Sequence, residues 1–210
     1  MATLCENIAG RLIDAILSGK LKPGSRLNES ELSRQLKVSR APIREALRQL
    51  QEQGLVIHQP RRGMFVVSLT EKDIEKINRL RVLLESEALL LCRANLTPQN
   101  ERKLLAELEK MENRGDTSAL EAARLDLSFH RTIWSQTKNE FLDKMLTGLT
   151  APLFAFAVIT TQKQDQRRTI LSSHRPLMDF IQGKIRRDQA KPVIYEHIAL
   201  RWGRWDPDRP

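Results

Sequence analysis

The chain has 210 residues, with 35 lysines and arginines against 26 acidic residues, and 40% of its side chains are hydrophobic. That is long enough to bury a core and too apolar for a disordered chain, and a net charge of +9 favours a polyanionic partner. Glu6 and Asp14 near the N-terminus argue against a secretory leader, and the longest apolar run, residues 151–160, is short of a bilayer span and contains Pro152. Two cysteines 87 residues apart, Cys5 and Cys92, make no disulfide scaffold, so the expectation is a reduced, cytoplasmic protein with no membrane partner.

The first seventy residues are densely punctuated by Pro23-Gly24, Gly54, Pro60 and Gly63, whereas long helical periods follow Thr70. This predicts a domain over residues 1–68 and a second over 69–210. The first carries net +5 and the second net +4, so the small domain is more than twice as basic per residue. In it, Ile8, Leu12, Ile13, Ile16 and Leu17 predict a helix stopped near Gly19. Asn28 is a good N-cap for a second helix through Leu36. Ser39 caps a third, whose apolar face is Ile43, Ala46, Leu47 and Leu50 and whose end is Gly54. Residues 55–58 and 64–67 are β-rich and joined through Gln59-Pro60-Arg61-Arg62-Gly63. The pattern is a winged helix-turn-helix.

Arg40, Arg44 and Arg48 recur every four residues on the third helix, opposite its apolar face. A helix fits the major groove of B-DNA, and arginine reads guanine O6 and N7 or holds phosphate. Arg40 and Arg44, nearest the helix N-terminus, are the expected base readers, with Ser39 placed for a phosphate. Arg48 is a structural or backbone contact. Arg61 and Arg62 form a wing tip where Gly63 allows close approach to the sugar-phosphate. A solvated basic face is the alternative reading of any one of these groups.

The stretches Leu21-Lys22-Pro23-Gly24-Ser25-Arg26-Leu27-Asn28-Glu29-Ser30-Glu31-Leu32-Ser33, Val38-Ser39-Arg40-Ala41-Pro42-Ile43-Arg44-Glu45-Ala46-Leu47 and Gly54-Leu55-Val56 resemble the GntR family of bacterial transcription regulators. The resemblance implies a dimeric regulator on a short palindromic operator of double-stranded DNA. It places DNA contacts at Arg40, Arg44, Arg62 and Gly63. Ser30 stands where family members often have arginine, and Arg34, one turn later, is the candidate replacement.

Beyond Thr70 six or seven helices are expected, an all-α bundle. A stripe of Ile74, Ile77, Leu80, Leu84, Ala88 and Leu91 opens it. Thr97-Pro98 starts the next helix, Asp116 or Thr117 caps one through Ile133, and another runs from Asn139 to about Thr161 with a kink at Pro152. Segments 167–181 and 188–202 complete the set. Three of the four histidines, His130, His174 and His197, fall in separate segments here, and Asp126 stands one turn before His130. By spacing alone a lone helical histidine is more often packed or exposed than a ligand. One carboxylate and three imidazoles brought together would suit a divalent transition metal such as Zn²⁺, Ni²⁺ or Mn²⁺.

Asp126-Leu127-Ser128-Phe129-His130 with Asn139, then Ser173-His174-Arg175, then Glu196-His197-Ile198, resemble the FCD effector domain of the FadR branch of that family. The resemblance implies that Asp126, His130, His174 and His197 are metal ligands. It also implies open positions at an octahedral ion where a small carboxylate metabolite could coordinate. Arg81, on the first helix of this domain, becomes a candidate effector contact, with an exposed arginine as the alternative. Pro176 departs from the pattern by removing a helical hydrogen bond near His174, and the tail of residues 202–207 has no assigned place. The expected protein is a sequence-specific, effector-controlled homodimeric regulator and not an enzyme. A zinc hydrolase using the same Asp/His₃ set is the alternative, and it lacks a recognisable acid or base such as the glutamate of a His-Glu-x-x-His run. A non-specific architectural DNA binder is a third reading.

Overall fold

The computed structural model describes residues 3–113, 117–160 and 169–205, and it is mainly helical with one small sheet. The described elements are α1 (Leu4–Leu17), β1 (Arg26–Leu27), α2 (Glu29–Leu36), α3 (Arg40–Glu52), β2 (Val56–Gln59), β3 (Gly63–Val66), α4 (Glu71–Ala94), α5 (Pro98–Glu112), α6 (Ala119–Ser135), α7 (Glu140–Thr160), α8 (Arg175–Ile181) and α9 (Ala190–Trp202). Residues 169–172 are also helical, and a 3₁₀ turn at Arg187–Gln189 leads into α9. The chain forms two compact units, Met1–Leu69 with Ala151–Thr160, and Thr70–Thr150 with Thr161–Pro210.

The first unit is a winged helix-turn-helix. Asn28 caps α2 by accepting from the Ser30 and Glu31 amides. Lys37, left-handed at φ 55°, turns the chain toward α3. The α3 stripe Ile43, Ala46, Leu47 and Leu50 is fully buried and packs among Ile8, Leu12 and Ile16 of α1. The wing has three strands rather than the expected two, ordered β1-β3-β2 and antiparallel throughout. The added strand, Arg26–Leu27, pairs Arg26 with Phe65 and Leu27 with Met64. Two residues carry no readable alternation, which is why the pattern of the sequence does not announce it.

Segment 151–160 joins this unit although it lies over eighty residues downstream, with Ala155 inside the core and Phe156 packed against it. The contact explains Gly54. The α3 C-terminus closes with Gly54 donating to Gln51 O and Leu55 to Leu50 O, with Gly54 at φ 75°. A β-carbon there would lie 2.6 Å from the Ala151 carbonyl carbon. Gly54→Ala is therefore expected to destabilise the protein by about 2–4 kcal/mol, from the left-handed backbone and the overpacking together. Urea unfolding checks this, and an unchanged midpoint would contradict the packing of residue 151 on this turn.

In the second unit α4 packs against α6, α8 and α9, and α5 against α6 and α8. Thr97 caps α5 with Pro98 at its start, as the sequence suggests. The cap of α6 is Ser118, not Thr117, and Asp116 lies outside the described residues. The expected apolar stripe of α4 only partly matches its inner face: Ala88 is buried, Ile74, Ile77, Leu84 and Leu91 are half-buried, and Leu80 is exposed, whereas Asn78, Arg81, Glu85 and Ser86 are buried with Val82, Leu89 and Cys92. Polar groups point inward because they have partners there, described below. Helix α7 continues through Pro152 as one helix to Thr160. Over Glu140–Val158 this helix is long and apolar enough to cross a membrane, contrary to the short run expected. Its Leu142, Leu146, Leu153, Phe154, Ala155, Ala157 and Val158 are buried, so that apolar character serves a protein core.

Candidate metal centre and DNA-binding face

The second unit brings together residues that are up to 120 positions apart, from Arg81 to Arg201. Three of its helices each contribute a pair one turn apart: Arg81 and Glu85 from α4, Asp126 and His130 from α6, and His197 and Arg201 from α9. His174 completes the set at the N-cap of α8. Pro176 is the second residue of that helix, where its missing N–H would have had no partner inside the helix, so the helix loses no hydrogen bond to it, contrary to the expectation.

One ligand atom from each of Asp126, His130, His174 and His197 lies within 4.8 Å of all the others. Asp126 Oδ1 is 2.9 Å from His174 Nε2 and 3.4 Å from His130 Nε2, and the Nε2 atoms of His130 and His197 are 3.1 Å apart. The opposite ring nitrogens all face acceptors. His130 Nδ1 lies 2.9 Å from Glu85 Oε2, His174 Nδ1 lies 3.3 Å from the Leu171 carbonyl, and His197 Nδ1 lies 3.3 Å from the Ser173 carbonyl. An Nδ1–H that donates outward frees Nε2 to offer a lone pair to a cation, whereas Nε2–H of His130 and His174 donates to Asp126 when no cation is bound. Four electron-rich atoms so close together favour a cation among them. The donor set and its outer acceptors therefore fit a metal ion.

The charges of the site agree with this. Burial opposes ionisation of Glu85, but Arg81 and His130 outweigh it and pull the carboxyl down to about 2. Burial likewise opposes a charged Asp126, yet the hydrogen bonds of His130 and His174 hold it well below the usual carboxylate range. Burial disfavours an imidazolium at His130, but Glu85 and Asp126 prevail and push it up to about 9. His197 is driven well below its ordinary value by burial and by the two neighbouring histidines. Glu85 and Asp126 are thus both held ionised at the cluster.

Both buried acids are split in the same way. Asp126 turns Oδ1 to the histidines and accepts at Oδ2 from Arg201 Nη1 at 2.9 Å. Glu85 turns Oε2 to His130 and accepts at Oε1 from Arg81 Nε at 2.7 Å. Arg81 is only 4% exposed, which overturns the alternative of an exposed arginine. It reaches the cluster through Glu85. Glu85 and Arg201 are absent from the set read off the sequence. Their signal is the one-turn spacing to Arg81 and to His197.

In the first unit Arg34, Arg40, Arg44, Arg48, Arg61 and Arg62 are all exposed. Arg40 is the first residue of α3. Ser39 caps the helix by position, but its hydroxyl makes no cap hydrogen bond and no acidic residue occupies the first turn. Arg48 lies 3.6 Å from Glu52. Arg44 donates to both Glu29 carboxylate oxygens, from Nε at 3.3 and 3.2 Å and from Nη2 at 2.9 Å. At the wing tip Arg61 has φ 62° and Gly63 φ 101°, while Arg62 stacks over Phe65 at 5.3 Å.

Comparison with known proteins agrees with both units. Residues 4–66 match the model of the bacterial regulatory proteins of the gntR family, and residues 76–200 match the FCD domain. The chain is 33% identical over 186 residues to the uncharacterised HTH-type transcriptional regulator YdhC of Bacillus subtilis, covering 87% of this chain and 82% of that one. It is 29% identical over 190 residues to the gluconate operon transcriptional repressor of Bacillus licheniformis, covering 85% and 76%. Among solved structures it is similar to McbR/YncC of Escherichia coli, with a TM-score of 0.63, 25% identity and 94% of each chain covered. These proteins are transcription regulators, not enzymes, so the hydrolase alternative finds no support in them.

Proposed function

Because the chain belongs to the GntR family of DNA-binding transcription regulators and carries an FCD domain, we propose that a small anionic metabolite, held at a metal in its second unit, controls its affinity for an operator. One observation carries this reading: imidazole nitrogens of the buried His130 and His174 and the half-buried His197 meet one carboxylate oxygen of the buried Asp126 within 4.8 Å. Asp126, His130, His174 and His197 would hold a divalent ion such as Zn²⁺, Ni²⁺ or Mn²⁺, which when bound supplies Lewis-acid attraction for a carboxylate. Glu85 and the carbonyls of Leu171 and Ser173 orient the three rings, and Arg201 fixes Asp126 by its second oxygen.

On the DNA side, Arg40 and Arg44 project from the exposed face of α3 and are the proposed base readers. Ser39, Arg34 and Arg48 flank them as candidate phosphate contacts, and Arg61, Arg62 and Gly63 form the wing that lies along the backbone. A homodimer would place two such faces on the halves of a palindrome. Linkage then requires that effector and operator change each other's affinity by the same factor, typically ~5–150-fold.

Thermal unfolding tests the reading with zinc-loaded and chelator-stripped protein, each against acetate, lactate and citrate. A carboxylate is expected to raise the midpoint of the loaded protein and leave the stripped protein unchanged. Equal shifts in both would place any carboxylate site away from the cluster.

A further inference from the structure

The guanidinium of Arg44 has two edges that can donate a parallel pair of hydrogen bonds. Glu29, the first residue of α2, occupies the edge formed by Nε and Nη2. Glu29 is itself set by its neighbours: Asn28 caps the α2 N-terminus with hydrogen bonds from Ser30 and Glu31 and so fixes the start of the helix. The arginine that heads into solvent from the middle of α3 is therefore held by the helix next to it, and its Nη1 and outer Nη2 hydrogens are left facing outward. Two parallel donors match guanine O6 and N7. The carboxylate also places a negative charge where a phosphate would otherwise draw the flexible side chain aside.

We propose that Glu29 is a positioning residue for DNA recognition, holding Arg44 in the pose that reads a guanine rather than a phosphate. The proposal rests on the reading of Arg44 as a base contact. Held on one edge, Arg44 keeps a single orientation and distinguishes a G·C pair from the other three. Released, it swings and finds phosphates on any sequence.

The test measures binding of the wild-type, Arg44→Ala, Glu29→Ala and double-variant proteins by fluorescence anisotropy. The probes are the duplex recovered by selection from random sequences and its single-base-pair variants, each at several salt concentrations. Arg44→Ala is expected to reduce discrimination at one base pair per half-site by about tenfold or more. Glu29→Ala should lose discrimination at that same pair, with affinity for unrelated DNA equal to or above wild type, and the double variant should lose no more than Arg44→Ala alone. A purely structural Glu29 would instead weaken binding to every duplex equally, and that result overturns the proposal, as does full discrimination by Glu29→Ala. If Arg44→Ala itself discriminates normally, the base-contact reading fails and the role of Glu29 falls with it. Glu29→Gln, which keeps the shape and a weaker hydrogen bond, should lie between wild type and Glu29→Ala.

Discussion

His174→Ala is expected to abolish stoichiometric zinc binding in calorimetry while leaving the helix content of the protein intact. His174 is completely buried, and its Nε2 makes the 2.9 Å approach to Asp126 Oδ1. Its ring stands 4.6 Å from that of His197 and 5.4 Å from that of His130, between centroids, so it is central to the cluster. Outer groups that merely orient a ligand typically contribute 10–100-fold to metal affinity. Loss of a ligand itself should reach at least the upper end of that range, about 100-fold, and take binding out of the stoichiometric regime. The truncation also opens a cavity beside Phe129, whose ring meets His174 edge-on at 5.2 Å, so some stability is lost as well. His174→Gln fills more of that space and serves as the control: it should recover stability without recovering the metal. Full stoichiometric binding by either variant would remove His174 from the site.

The largest effect on stability is expected at Glu85. Its carboxylate is 1% exposed and lies between Arg81 and His130, both buried. Taking away one partner of a buried ion pair leaves the other charged and desolvated, which costs about 3–5 kcal/mol. Glu85→Ala should therefore lower the free energy of unfolding in urea by about that amount. In the Glu85→Ala/Arg81→Met double variant the stranded cation is gone, so the combined loss should be smaller than the sum of the two single losses by about 1 kcal/mol or more. Strict additivity would mean that the two side chains act independently and that Arg81 does not reach the cluster through Glu85.

The helices of this protein could be read from its sequence where caps and apolar spacing agree, as at Asn28 and Thr97 or along Ile43, Ala46, Leu47 and Leu50. Reading failed where the deciding partner is distant. The inner face of α4 holds Arg81 and Glu85 because His130 lies opposite, 45 residues beyond Glu85, so an apolar-stripe rule chose Leu80 instead. Residues 151–160 belong with the first unit because Ala151 fills the space that Gly54 leaves open, a match of two surfaces that no local pattern encodes. In the cluster, Asp126, His130, His174 and His197 could be named as candidate ligands through the resemblance to a known effector domain, since spacing alone does not separate a ligand histidine from a packed one. Glu85 and Arg201 could not, since charged residues are common and nothing marks the few that face inward. Glu29 stayed hidden for the same reason, as one of two acids in the first turn of α2.

For the proposed dimeric, sequence-specific regulator the most direct measurement is selection from random duplexes by the purified protein, followed by sequencing. The expected result is one enriched short inverted repeat whose two halves are spaced for two α3 helices in successive major grooves, about 10 base pairs from centre to centre. Enrichment of no sequence, or of a site without two-fold symmetry, would contradict it.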